Sequence, residues 1–280
     1  MPEVNDPSAE FERRIRPLEA SIKDEHSTLS GSKAFSELVE LQKLARAVGE
    51  DSREHAEVLA LMALVQAKRE DYEDALEMGT KSLEIQVRTA PLPGAFLLRH
   101  LMVTSAEALH LNEEAVGHLK LLIPLADHEP SLSSRQRLGL KQHLGYLLHE
   151  LERFDEACEV NLAMLEEAER LMGDGDAALT GVLANLAQNH YSLGMPDEAE
   201  AFLRRRLALA DAHGKADIAI DSVFQLAVLA FEAHRFAASR QLFEERLARA
   251  RKTGDAALIE GAELDLAEHE QRLAQRTASA

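Results

Sequence analysis

Histidine is the residue type in this chain with the greatest capacity for chemistry, since twelve copies invite a metal-binding or acid–base hypothesis. A zinc site of the HExxH type needs two histidines four residues apart on one face of a helix. The segment HELER, which begins at His149, has Arg153 where the second histidine would fall. The other histidines are scattered, and His143 and His149, six residues apart, lie on different helix faces. We therefore predict no metal site and no cofactor.

Motifs for nucleophilic and phosphate chemistry are also missing from the sequence. It contains no GxxxxGK[ST] loop, no GxSxG elbow and no CxxC pair. Cys158 is the only cysteine, so it has no partner for an intramolecular disulfide. It follows Ala157 in a helical pattern, which predicts a small packed residue. We predict that the protein is not an enzyme.

The charge of the chain argues against one class of partner. Its 31 basic and 49 acidic residues give a formal net charge of −18, whereas nucleic-acid binding needs clustered lysine and arginine. The basic runs at Arg204 and Arg249 are interpreted as solvated outer faces of helices. The longest apolar run, from Val58 to Val65, has eight residues, and a membrane span needs about twenty. Because the N-terminus also lacks the pattern of a targeting segment, we expect a cytoplasmic protein without nucleic-acid or membrane partners.

A short motif recurs five times at nearly constant spacing. It reads YEDALE, NEEAVG, FDEACE, PDEAEA and, more weakly, FAASRQ, with copies that begin at residues 72, 112, 154, 196 and 236. Spacings of 40 or 42 residues indicate a tandem array in which each unit packs on the next. An aromatic content of only 4% favours packed amphipathic helices over a sheet.

Each motif is coupled to a second position twelve residues earlier. The pairs are Ala63–Ala75, Val103–Ala115, Gly145–Ala157, Ala187–Ala199 and Ala227–Ser239. Small residues on two helices joined by a tight turn allow the helix axes to approach closely. Each unit is therefore predicted to be a helical hairpin. Two adjacent acidic residues follow the start of the first four motifs, and they suit the first turn of the second helix, where they complement the helix dipole.

The fourth unit, LANLAQNHYSLGMPDEAEAFLRRRLALA from Leu183, resembles a tetratricopeptide repeat. The usual unit has 34 residues, and the longer spacing here is similar to that of kinesin light chains and of bacterial peptide receptors. The resemblance implies an all-α, right-handed superhelical solenoid of antiparallel helix pairs. We expect N-terminal helices over residues 1–50, as a cap or degenerate repeat, five repeats over 51–254 and a C-terminal capping helix over 255–280.

Turn-forming residues predict the connections between these helices. They occur near Gly31, in the segment PLPG from Pro91, and near residues 127, 173, 213 and 253. Pro17 is expected at a helix start or at a kink.

The candidate binding surface is the row of first helices. If each small residue faces the second helix, the positions three before it and one, four and five after it turn toward the concave side. In the third to fifth units these positions give Gln142, Tyr146, His149, Glu150, Gln188, Tyr191, Ser192, Phe224, Val228, Phe231 and Glu232. Aromatic anchors mixed with amides and carboxylates are typical of a surface that holds a peptide.

Asn185 joins this set through the resemblance. It is similar to the asparagine of kinesin light chain type repeats that hydrogen-bonds the backbone of a bound peptide. Of the groove positions only Lys68 is a lysine, so the resemblance does not extend to receptors that clamp a C-terminal carboxylate. Tyr146, Tyr191 and Phe231 have a second interpretation, as aromatic residues that pack between adjacent units.

These patterns predict a noncatalytic adaptor that binds a protein or peptide segment in the concave groove. The alternative is a peptide-responsive regulatory receptor, in which the bound peptide changes the pitch of the superhelix and switches an effector protein. The sequence leaves the partner and the oligomeric state open.

Overall fold

The computed structural model describes residues 6–24, 27–89, 92 and 94–278. Over these ranges the chain forms thirteen α-helices and no strand. They are α1 (Pro7–Lys23), α2 (Gly31–Val48), α3 (Arg53–Lys68), α4 (Tyr72–Arg88), α5 (Ala95–Ala108), α6 (Asn112–Asp127), α7 (Ser134–Glu150), α8 (Phe154–Met172), α9 (Leu179–Ser192), α10 (Pro196–Ala212), α11 (Ala216–Glu232), α12 (Phe236–Thr253) and α13 (Ala256–Ala278).

Each helix packs mainly on its neighbours in sequence. Helices α3 and α4, α5 and α6, α9 and α10, and α11 and α12 pack as pairs, and successive pairs stack through α4 on α5, α8 on α9 and α10 on α11. The predicted all-α solenoid of helix pairs is confirmed. The chain divides between Arg137 and Leu138 into two compact units, which we call the N-terminal unit and the C-terminal unit.

The repeated motif marks the start of the second helix in every unit, as the sequence predicts. Helices α4, α6, α8, α10 and α12 begin at Tyr72, Asn112, Phe154, Pro196 and Phe236. Two acidic residues occupy the first turn of α4, α6, α8 and α10, and α12 has none there. None of the five has a side-chain N-cap hydrogen bond, so the acidic residues supply the favourable charge at four of these termini.

The small-residue pairs lie where the two helices of each hairpin meet. All ten residues are buried. In the last hairpin the Ser239 hydroxyl donates a hydrogen bond to the carbonyl of Ala227 at 2.9 Å. In the third, a Cβ placed on Gly145 would lie 2.6 Å from Oδ1 of Asn161, so any side chain there would require the Asn161 side chain to move. The predicted helical hairpins are confirmed.

The turn within each hairpin contains one residue in the left-handed region. These residues are Glu70 (φ 64°), His110 (59°), Glu152 (58°), Gly194 (73°) and His234 (58°). The N–H of the next residue bonds a carbonyl five positions back, as from Asp71 to Gln66 at 3.0 Å and from Arg235 to Ala230 at 2.8 Å. This is a Schellman ending, which normally has glycine in the left-handed position. Four of the five turns here have another residue there.

One connection prediction needs correction, and another lies outside the described ranges. Helix α2 begins at Gly31 rather than after it, because the Ser30 side chain caps its N-terminus by accepting the N–H of Lys33. Pro17 lies inside α1, which excludes the helix start, and the kink stays a prediction. Pro91 and Pro93 of the PLPG segment are outside the described residues. The connections near residues 127, 173, 213 and 253 separate helices as predicted.

Helices α1, α2 and α3 share one hydrophobic core in the N-terminal unit. Phe11, Ile15, Leu38, Leu41 and Met62 are buried in it. The Nζ of Lys68 donates to the carbonyl of Ile22 at 2.6 Å. This lysine therefore fastens the end of α3 to the end of α1.

Candidate functional site

Ten of the twelve candidate residues, all except Ser192 and Glu232, form a surface on three first helices of the C-terminal unit. We call them the α7–α9–α11 stripe. Helix α7 carries Gln142, Tyr146, His149 and Glu150, helix α9 carries Asn185, Gln188 and Tyr191, and helix α11 carries Phe224, Val228 and Phe231.

The two tyrosines of the stripe are exposed to solvent. Tyr146 exposes 54% of its surface and Tyr191 exposes 41%. Neither ring is therefore enclosed by packing between adjacent hairpins. Gln142, Glu150 and Gln188 are also exposed, so the stripe presents both ring surface and hydrogen-bonding groups.

A cavity of about 300 Å³ lies between α9, α10 and α11. We call it the α9–α11 cavity. Its apolar lining includes Leu203, Val228 and Leu229, and Tyr191 and Phe224 contribute their rings. The polar groups that line it belong to Gln188, Asp221 and Gln225. Asp221 and Gln225 were not among the binding residues predicted from the sequence.

A second cavity, of about 140 Å³, lies between α11, α12 and α13. Phe224 and Val228 line both cavities. These two side chains therefore form a ridge between two depressions. Phe231 and the buried His269 also line the second cavity.

Tyr191 is held by a hydrogen bond to the next first helix. Its hydroxyl donates to Oε1 of Glu232 at 2.9 Å. That bond, together with partial burial and the negative charge of Glu232, raises the pKa of the Tyr191 phenol. The ring is therefore held at the edge of the cavity, and the residue keeps 41% of its surface exposed.

The His149 side chain makes contacts within the C-terminal unit. Its Nδ1–H donates to Oδ1 of Asn189 at 2.6 Å, since an amide oxygen only accepts. Its ring lies 5.1 Å from the ring of Phe154. The Asn189 side chain is buried. The sequence analysis did not predict the contact between His149 and Asn189, although their separation of 40 residues equals one repeat spacing and indicates equivalent positions in adjacent repeats.

Asn185 is partly buried on α9. Across the described residues its side chain makes no hydrogen bond. Its amide therefore keeps both its donor and its acceptor capacity.

Phe231 packs more tightly than the sequence-based stripe implies. Its ring lies 5.4 Å from that of Phe236 and 5.3 Å from that of His269. The guanidinium of Arg276 lies 5.9 Å from its centroid. Contacts from α12 and α13 thus support the packing interpretation for this ring.

Two of the reactive side chains considered in the sequence, Cys158 and His190, are buried and lie next to each other. Cys158 is buried, and burial raises the pKa of its thiol. Its Sγ lies 3.6 Å from Nδ1 of His190, which is also 2.8 Å from the carbonyl of Leu186. Among the described residues, no three histidine, cysteine or acidic side chains are grouped so that they could hold a metal ion.

No helix in the described part of the chain has the length and apolar character needed to cross a membrane.

No protein-family model matches the sequence, and no curated protein matches it. Solved structures do resemble the fold, including the following two. BtubC (BKLC) from P. vanneervenii is 17% identical with a TM-score of 0.52, and the match covers 87% of this chain and 92% of that one. A signal transduction ATPase with numerous domains from Pyrococcus horikoshii, which has a tetratricopeptide repeat sensor, is 15% identical with a TM-score of 0.56. That match covers 96% of this chain and 39% of the ATPase.

This chain has the fold of a tetratricopeptide-repeat array. Within the array, the stripe residues Gln188, Tyr191, Phe224 and Val228 meet around the α9–α11 cavity. Tyr146 and Asn185 are not among the residues that line it. The kinesin light chain subtype stays a prediction.

Proposed function

We propose that the protein is a noncatalytic interaction adaptor whose C-terminal unit binds a segment of a partner protein along the α7–α9–α11 stripe. The observation that carries this proposal is the exposed ring of Tyr191 beside a cavity with an apolar floor. Exposed aromatic rings next to apolar pockets are the usual anchors of protein interfaces. The tetratricopeptide-repeat fold alone leaves the function open, because one fold hosts many functions.

The α9–α11 cavity would receive one apolar side chain of the partner. Leu203, Val228 and Leu229 offer hydrocarbon surface, and a volume of about 300 Å³ accommodates a large side chain. Gln188 and Gln225 lie in the same lining and offer amide groups to the partner backbone. This combination, an apolar floor with a few polar groups, is typical of binding pockets.

Two further residues extend the proposed contact beyond the cavity. Tyr146 exposes more than half of its surface on α7, which makes it a second aromatic anchor. Asn185 has an amide without an internal hydrogen bond among the described residues, and an amide pairs readily with both groups of a peptide bond. We propose that the two tyrosines supply most of the binding affinity and that Asn185 fixes the register of the bound segment.

The proposal is tested by identifying the partner and then measuring single variants. Proteins captured from the native cell extract would be identified by mass spectrometry, and the bound segment would be synthesised. Titration calorimetry should then show that Tyr191→Ala and Asn185→Ala weaken binding of that segment, by roughly tenfold or more for the tyrosine. Leu171→Ala is the matched control, because Leu171 is 51% exposed on α8, outside the stripe.

The outcome that would refute the proposed site is equally specific. If Tyr191→Ala and Asn185→Ala both bind the segment as tightly as the unaltered protein, the contact lies elsewhere. If Leu171→Ala weakens binding as much as Tyr191→Ala does, the effect does not come from the stripe.

A further inference from the structure

The N-terminal unit contains an apolar cavity that the proposed function does not use. It has a volume of about 550 Å³ and lies between α1, α3 and α5; we call it the α1–α3–α5 cavity. Leu61 and Leu64 of α3 line it together with Leu97, Leu98 and Leu101 of α5. Leu97 exposes 62% of its surface. An exposed leucine beside other lining leucines is costly in water, so this surface is suited to an apolar ligand.

The charged groups at the cavity edge are mostly compensated by one another. Arg16 donates hydrogen bonds to carboxylates of Glu12, Glu19 and Glu57. Lys23 forms an ion pair with Glu19 at 2.6 Å. These cations are therefore already paired with carboxylates of α1 and α3.

Arg53 differs from these neighbours. It lines the same cavity and is exposed at the first position of α3. Within the ranges that the structure describes, its guanidinium has no ion pair and no hydrogen bond. A planar guanidinium binds a carboxylate through two parallel hydrogen bonds, so the cavity combines an apolar floor with one cation available to an anionic group.

We propose that the α1–α3–α5 cavity binds a single-chain amphiphile with a carboxylate head, such as a fatty acid. The hydrocarbon chain would lie on the leucines and the carboxylate would pair with Arg53. The volume falls within the roughly 300–1,000 Å³ of small-molecule sites. An extended peptide fits this floor less well, because its amide groups need hydrogen-bond partners that the lining leucine side chains do not supply.

The test is titration calorimetry of the full chain with dodecanoate below its critical micelle concentration. We expect saturable binding of one dodecanoate per chain, and binding of dodecyltrimethylammonium, which has the same chain and a cationic head, at least roughly tenfold weaker. Arg53→Gln should weaken dodecanoate binding about tenfold, and Arg53→Lys, which keeps the charge, should weaken it less. Leu101→Gln should weaken the binding of both amphiphiles.

Two control variants lie in the same unit but away from the cavity lining. Arg13→Gln removes an exposed arginine of α1, and Leu121→Gln removes a leucine of α6 that is 55% exposed. Both should bind dodecanoate as the unaltered protein does, and circular dichroism should show that every variant is folded.

Two results would overturn the proposal: the absence of saturable dodecanoate binding, and equal affinity for the two amphiphiles. If dodecanoate does not bind, a synthetic helical peptide of leucine and glutamate is titrated next, and its binding would have to be lost on Leu101→Gln. That outcome would assign the cavity to a protein partner.

Discussion

At the scale of single residues, the hairpins depend on small, buried residues where their two helices meet. Gly145 is the clearest case, because a Cβ there would meet the amide of Asn161 at 2.6 to 3.0 Å. Asn161 is fully buried, and neither of its amide atoms has a hydrogen-bond partner in the described part of the chain. The third hairpin therefore combines a glycine in close contact with the Asn161 side chain and a buried amide that its neighbours do not satisfy.

We predict that Gly145→Leu destabilises the protein by about 1–3 kcal/mol or more, because the added atoms overpack the α7–α8 contact. The free energy of unfolding in urea measures this. Gly139→Ala, on the same helix, is the matched control: no atom lies within 4 Å of its added Cβ, so it should stabilise by roughly 0.5–1 kcal/mol. Equal effects of the two substitutions would contradict the packing argument.

Tyr191 offers a second residue-scale test. Its phenol pKa is raised first by the hydrogen bond to Glu232, so Glu232→Gln should lower that pKa toward its ordinary value. The stabilisation from this bond is present below the ordinary tyrosine pKa and is lost as the pH rises through the raised pKa. Absorbance titration of the phenolate, with Tyr191→Phe subtracted to remove the other tyrosines, measures the shift. An unchanged pKa in Glu232→Gln would refute the assigned cause.

At the scale of elements, the left-handed turns are the feature that unites the five hairpins. A non-glycine residue in this conformation costs roughly 1–2 kcal/mol, yet Glu70, His110, Glu152 and His234 all adopt it. The paired hydrogen bonds of the Schellman ending recur at each turn and hold the backbone there.

Replacing the left-handed residue with glycine should therefore stabilise four of these turns. We predict that His110→Gly and Glu152→Gly each stabilise the protein by about 1 kcal/mol, and that Gly194→Ala destabilises it by a similar amount. Urea unfolding of the three variants tests this. If the two glycine variants are less stable than the unaltered protein, the side chains of His110 and Glu152 contribute more than the backbone strain removes.

The starts of the second helices were predictable because the motif places a small residue, an acidic pair and a helix start at fixed offsets. The left-handed conformation of the turns was not predicted, because only Gly194 carries the residue type expected for it. The contact of His149 with Asn189 depends on how neighbouring hairpins stack, and a single hairpin sequence does not specify that stacking. The α1–α3–α5 cavity was missed for a related reason, since α1 lies outside the repeated pattern.

At the scale of the whole molecule, the adaptor and the regulatory receptor differ in one observable property. An adaptor holds its partner segment without changing shape, whereas a receptor that switches an effector must favour a different conformation when the segment is bound. We predict that small-angle scattering profiles with and without a saturating segment superimpose. Compaction that increases with segment concentration would instead favour the regulatory receptor.

The central claim is that a partner segment contacts the exposed surface of Tyr191. The most direct measurement replaces Tyr191 with a photo-crosslinking phenylalanine analogue and maps the attached peptide by mass spectrometry. We predict that the partner segment is crosslinked at this position and not when the same analogue replaces Leu171. Crosslinking at Leu171 with none at Tyr191 would contradict the account.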